Sequence, residues 1–163
     1  MDDILNQNQQ RAMELFQQAY ELQMKGQLQE AAETYRRSID CHPTAEAHTF
    51  LGWTYSFTGR YDEAIEECRT AISIDPDFGN PYNDIGAYLI EKNHLDEAIT
   101  WLEKATNAPR YDHYCFPHHN LGRIYERKRE WDLAIRAYEM ALKANPDYVP
   151  AARALGKIRG MLN

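Results

Sequence analysis

The residues best suited to metal chemistry in this sequence lie in one run, Asp112-His113-Tyr114-Cys115-Phe116-Pro117-His118-His119, where His113, Cys115, His118 and His119 fall within eight positions. Imidazole and thiolate ligands would suit zinc, so a metal- or small-molecule-binding protein built on residues 112–119 is one function to weigh. Two observations oppose it. His118 occupies the register position that His48 occupies earlier in the chain, which marks both as packing residues, and His119 points roughly 100° further round a helix. The segment therefore reads as a loop followed by one outward histidine, and no metal or cofactor is expected. Catalytic patterns are missing as well: there is no glycine-rich phosphate loop, no Gly-x-Ser-x-Gly and no His-Glu-x-x-His. The acidic pairs Asp62-Glu63 and Glu66-Glu67 suit the start or the solvent side of a helix. The expectation is a chain that is not an enzyme. Cys41, Cys68 and Cys115 form an odd set without Cys-x-x-Cys spacing, which argues against a disulfide framework. Cys68 reads as a small buried hydrophobe.

These residues ride on a chain that repeats. Gly26, Gly59, Asn93 and Arg129 occupy one slot at spacings of 33, 34 and 36 residues. Five residues later come Ala31, Ala64, Ala98 and Ala134, then Ser38, Ala71, Ala105 and Ala141; seven residues before the slot sit Ala19, Gly52, Gly86 and Gly122. Small residues at fixed intervals are what two antiparallel helices need where they cross closely. Gly and Asn adopt the left-handed conformation of a helix C-cap at little cost, while Pro43, Pro76 and Pro146 stop the second helix of their units. The pattern predicts helices at about 5–24, 28–41, 45–57, 61–74, 79–91, 95–107, 116–128, 131–144 and 149–161, with boundary errors of ~2 to 4 residues. A period near 34 marks hairpins that cannot bury their apolar faces alone and must stack.

The run Leu51-Gly52-Trp53-Thr54-Tyr55, Gly59-Arg60-Tyr61-Asp62-Glu63-Ala64, Ala71 and Pro76 resembles a tetratricopeptide repeat. Leu121-Gly122, Tyr125, Ala134, Tyr138, Ala141 and Pro146 repeat it. The resemblance covers about residues 12–163 and implies an all-α, right-handed superhelical solenoid. Its four helix-turn-helix units are expected at about 12–44, 45–78, 79–114 and 115–148, with a capping helix at 149–163, in a single domain spanning 1–163. Departures are local: Ala19 replaces a glycine, Arg110 stands where the third unit's proline is due, and Arg129 stands at the fourth turn.

In this family the first helices line a concave wall, and the resemblance assigns Met13, Phe16, Tyr20, Trp53 and Phe57 to its N-terminal part, then Asn80, Asn83, His119, Arg123 and Arg127, with Arg153 and Lys157 on the cap. One end is aromatic and methionine-rich, the other basic. Charge follows the same division: residues 1–82 carry 6 Lys+Arg against 14 Asp+Glu, and 83–163 carry 12 against 11. The expected function is a protein-protein interaction scaffold, taking a partner peptide or helix with apolar anchors and an acidic segment. A small secretion or assembly chaperone of the same family is the alternative. The family's carboxylate clamp for chaperone tails is missing, since Phe16 and Tyr20, or Thr49 and Trp53, stand where Lys and Asn are required. Net charge of −7 and the lack of a nucleic-acid motif argue against polyanion binding. No run reaches the ~18 apolar residues of a membrane span, and the N-terminus shows no leader pattern, so the cytoplasm is the expected location.

Overall fold

The computed structural model describes residues 2–162, and the side chains of residue 4 and residues 6–162. Among the described residues are nine helices: α1 (Asp2–Met24), α2 (Leu28–Cys41), α3 (Ala45–Ser56), α4 (Tyr61–Ile74), α5 (Asn80–Glu91), α6 (Leu95–Thr106), α7 (Cys115–Arg127), α8 (Trp131–Ala144) and α9 (Val149–Leu162). Every boundary lies within one residue of the sequence expectation except the start of α1, which comes three residues early. Nothing between Asp2 and Leu5 breaks a helix, and acidic residues suit a helix N-terminus. The chain divides into two compact units, Met1–Pro76 and Asp77–Asn163.

In Met1–Pro76, α1 pairs with α2 and α3 with α4. Ala19, Ala31 and Ala64 are wholly buried at the crossings. At Gly52 a Cβ would lie 2.8 Å from the Ala64 carbonyl oxygen, so only glycine permits that approach. In Asp77–Asn163 the pairs are α5 with α6 and α7 with α8, and α9 packs on α8. A Cβ on Gly86 would meet the Leu102 side chain at 2.5 Å, and one on Gly122 the Tyr138 ring at 2.5 Å. Leu102 and Tyr138 are themselves buried. Bulk on the second helix thus fills the space that glycine vacates on the first. The cap completes the arrangement: Ala151, Leu155 and Ile158 of α9 close one core with Ala134, Tyr138 and Ala141 of α8.

All four hairpin turns are the same Schellman closure. The amides of Gln27, Arg60, His94 and Glu130 donate to the carbonyls of Leu22, Tyr55, Leu89 and Tyr125, at 2.9, 3.2, 2.8 and 2.9 Å. Each requires a left-handed residue just before it, and the slot supplies it: Gly26 and Gly59 at φ 77° and 74°, Asn93 and Arg129 at 61° and 60°.

The third unit ends differently. After Thr106 the chain runs back past the start of α5, where Phe78 and Arg110 form an isolated parallel β-bridge. The Gly79 amide donates to the Arg110 carbonyl at 2.9 Å, and the Arg110 amide donates to the Asp77 carbonyl at 3.0 Å. The Arg110 guanidinium lies 4.2 Å from the centre of the Phe78 ring. Proline at position 110 would have no amide to give Asp77, which explains the missing proline. Within this unit Asp84 is half-buried with the Asn83 amide as its hydrogen-bond donor, at 3.4 Å. Desolvation raises its pKa to about 7, against the weaker lowering effect of Asn83.

Two predictions follow from this packing. Arg129→Gly removes the steric cost of a side chain at φ 60° while loosening the unfolded chain; thermal unfolding should show a gain of up to about 1 kcal/mol, and a lower melting temperature would show that the arginine stabilises the turn. Asp84 holds its proton more tightly folded than unfolded, so its own contribution to stability is most favourable at acid pH, falls as pH rises from the ordinary carboxylate range to about 7, and is level above that. The stability advantage of Asp84→Asn over the parent should therefore widen between about pH 4 and 7 in urea titrations. A constant gap would mean that the carboxyl is well solvated.

Candidate functional site

Stacking α1 against α3 leaves one face of Met1–Pro76 lined with rings. Phe16 and Tyr20 of α1 meet Phe50 of α3 edge-on, with ring centres 5.2 and 5.9 Å apart. Phe50 continues to Trp53 at 5.7 Å, and Trp53 to Phe57 at 5.2 Å. Helical spacing produces this row, since Phe50, Trp53 and Phe57 stand at i, i+3 and i+7 and so share one stripe. Behind it Tyr35 of α2 is wholly buried; its ring is 5.5 Å from Phe16, and its hydroxyl donates to Gln23 Oε1 at 2.9 Å. The row is not a closed core. Met13, Met24 and Phe57 are 72%, 53% and 54% exposed. Beside Phe16 opens a cleft of about 540 Å³, with Ala12, Met13 and Phe16 on one wall and His42, Thr44 and Glu46 on the other.

Five residues assigned to the N-terminal part of the binding wall, Met13, Phe16, Tyr20, Trp53 and Phe57, thus belong to one continuous surface. Phe50 joins it, and the buried Tyr35 backs it, without either having been anticipated. Phe50 lies outside the assigned wall positions, and its place three before Trp53 was the available signal.

The residues assigned from Asp77–Asn163 have a different fate. Asn83 is buried and accepts from Asn120 Nδ2 at 3.1 Å, so it ties α5 to α7 and presents no free amide to a ligand. Asn120 in turn accepts from Arg123 at 3.1 Å, and Arg123 also reaches Glu91 at 3.2 Å. Arg127 donates to the Ile90 carbonyl at 3.1 Å. Lys157 of α9 donates to Glu126 Oε1 at 3.0 Å, and the Tyr138 hydroxyl to Glu126 Oε2 at 3.0 Å. Burial raises the Glu126 pKa, but these two bonds outweigh it and hold the carboxyl below its ordinary value. Asn80 is half-buried and Arg153 exposed.

The 112–119 segment scatters its ligands. His113 leans on the Phe116 ring at 5.2 Å. Cys115 is buried, and desolvation raises its thiol pKa. His119 stands between the rings of Tyr138 and Tyr148, 5.6 and 5.3 Å away; burial, reinforced by Arg123 and opposed by Glu126, lowers its pKa to about 4, so it is neutral at pH 7. Among the described residues no group of three or more His, Cys, Asp or Glu is placed to hold a metal ion. His48 and His118, equivalent in register, are both half-buried. His48 Nδ1 lies 2.6 Å from Glu67 Oε2, so Glu67, expected on the solvent side, turns partly inward.

No described helix is long and apolar enough to cross a membrane. The chain is 29% identical over 79 residues to small glutamine-rich tetratricopeptide repeat-containing protein 2 of Mycosarcoma maydis, a match covering 48% of this chain and 22% of that protein. It is 30% identical over 138 residues to a probable UDP-N-acetylglucosamine–peptide N-acetylglucosaminyltransferase SPINDLY of Hordeum vulgare, covering 75% of this chain and 14% of that one. The chain thus spans less than a quarter of these relatives. Its fold matches the solved structure of Pseudomonas aeruginosa pilF with a TM-score of 0.86 at 21% identity, over 93% of this chain and 68% of that one. Patterns described as tetratricopeptide repeat match residues 13–37, 45–78, 80–111 and 115–148. With four repeats matched, most of the length accounted for and every hairpin closed by the same turn, the chain belongs to the tetratricopeptide repeat family.

Proposed function

We propose that the chain is a non-enzymatic adaptor that captures a peptide or helix of a partner protein on the aromatic face of α1 and α3, and that basic residues of α7 and α9 separately meet acidic groups of a partner. The observation carrying this proposal is the row Phe16–Tyr20–Phe50–Trp53–Phe57, left partly exposed beside a cleft of about 540 Å³. A contiguous apolar surface with rigid aromatic anchors suits partner binding. An amphipathic helix or an extended segment would place one or two apolar side chains against it. The enzymatic name of the barley relative belongs to a protein of which this chain covers 14%.

Selection of peptides from a random dodecapeptide display library should return sequences with apolar anchors. Against such a peptide, Trp53→Ala with Phe57→Ala should cost roughly 2 to 4 kcal/mol of binding free energy, measured by calorimetry, while circular dichroism shows the helices intact. Unchanged affinity in the folded double variant would remove the aromatic face from the binding surface.

A further inference from the structure

A second cleft lies wholly within Asp77–Asn163, at the turn between α7 and α8, with a volume of about 440 Å³. Arg123, Arg127, Arg129 and Lys157 border it, with Glu126 as the one acidic residue on its lining and Trp131 and Met161 as apolar surface. Two of the four cations are engaged by carboxylates: Arg123 by Glu91 and Lys157 by Glu126. Lys128, between the remaining two in sequence, turns to Asp96 at 2.6 Å. Arg127 donates to a neutral acceptor, the Ile90 carbonyl, and Arg129 stands exposed on the turn at φ 60°. Neither Arg127 nor Arg129 has a carboxylate partner among the described residues.

Arg129 makes the cleft more than a charged surface. The same closure is made by Gly26 and Gly59, without a side chain, and by Asn93, which tolerates the left-handed conformation. The turn therefore has no need of an arginine, and the strain it carries coincides with a guanidinium on the cleft lining. Attraction of a cation to the carboxyl end of α7 opposes that strain, but it accounts neither for the second unneutralised arginine nor for the apolar part of the lining.

We propose that this cleft binds an acidic peptide segment, with carboxylates on Arg127 and Arg129 and a neighbouring apolar side chain on Trp131 and Met161, and that the strained turn at Arg129 is retained for that contact. A single small anion would fill a minor part of about 440 Å³ and leave the apolar lining uncovered, whereas a peptide satisfies both. The inference rests on the proposed peptide-capturing function and specifies where its acidic part is held.

The dodecapeptide library separates the two, because anchor content and acidity are scored independently. Selection at about 50 mM salt should enrich sequences with two or more Asp or Glu around an apolar residue. A synthetic peptide of that kind should bind roughly tenfold more weakly to Arg129→Asn, which keeps a tolerated turn residue and removes the charge. Arg127→Gln should act in the same direction, and salt at about 500 mM should erase most of the difference. Arg129→Gly should lose affinity while its melting temperature holds or rises, a combination that a merely structural arginine would not give. Enrichment of apolar anchors without acidity, or acidic peptides bound equally by parent, Arg129→Asn and Arg127→Gln, overturns the proposal and leaves the aromatic face standing. Acidic peptides sensitive to Arg129 but indifferent to Trp53 and Phe57 sustain it and overturn the aromatic face instead. No enrichment of either kind overturns both.

Discussion

Each hairpin depends on how closely its two helices approach, and in three of the four that distance is fixed by a missing side chain, Ala19 standing at the crossing of the first. At Gly52 the opposing atom is a backbone oxygen, which cannot swing away; at Gly86 and Gly122 it belongs to a buried Leu102 or Tyr138. The pairs are complementary in volume. Where the second helix brings Leu102 or Tyr138 the first is bare, and where it brings Cys68 the backbone itself comes within contact range. Overfilling such a contact forces strained rotamers or backbone shifts at a typical cost of ~1 to 3 kcal/mol. The close approach also decides which surface is left open, because a first helix locked by its inner face has only its outer face to offer. On α1 and α3 that face is the aromatic row.

The periodicity of small residues, the left-handed slot and the prolines made the helices legible in the sequence almost to the residue. Short-range steric rules govern all three and act identically in every repeat. Legibility failed where a contact joined different elements without a repeat to announce it. The bridge from Phe78 to Arg110 is an example: its only trace in the sequence is a proline that failed to appear, and the reason becomes visible once the Arg110 amide is seen donating to Asp77. Asn83 is a second case. Its register position alone assigns it to the binding wall, but its amide group finds Asn120, and a buried polar pair of that kind is settled by hydrogen bonding rather than by position. Phe50 was passed over for the converse reason: a rule listing wall positions does not register a large ring that reaches the wall from outside them.

Charge reads less faithfully than shape. Counting Lys and Arg predicts a basic surface on α7 and α9, yet Glu91 and Glu126 are interleaved among those cations and hold two of them. Glu126 is a junction, accepting from both Lys157 and Tyr138 while lying next to His119 in the electrostatic balance of the site. Its ionised state is maintained by these neighbours against the effect of burial. A ligand acid arriving at Lys157 would have to compete with a carboxylate already in place, exchanging one charge-assisted bond for another with little net gain. A ligand acid arriving at an arginine bonded only to a carbonyl makes a new ion pair.

That distinction bears on how such a surface can be selective without a deep pocket. Cations matched by internal carboxylates contribute to positioning and to the cohesion of α5, α7 and α9, and they repel little and attract little at a distance. Unmatched ones set the local field felt by an approaching chain, within a Debye length of about 8 Å at physiological salt. The protein as a whole is acidic, at −7, so long-range steering would turn acidic partners away, and only short-range contact with unneutralised guanidinium groups could reverse that preference. Apolar anchoring has no such dependence on charge sign, since burial of rings is favourable whatever the ionic environment. On the proposed function, a chain built in this way would sort partners by two different forces, one sensitive to salt and one indifferent to it, each carried by side chains that a different helix pair holds in place.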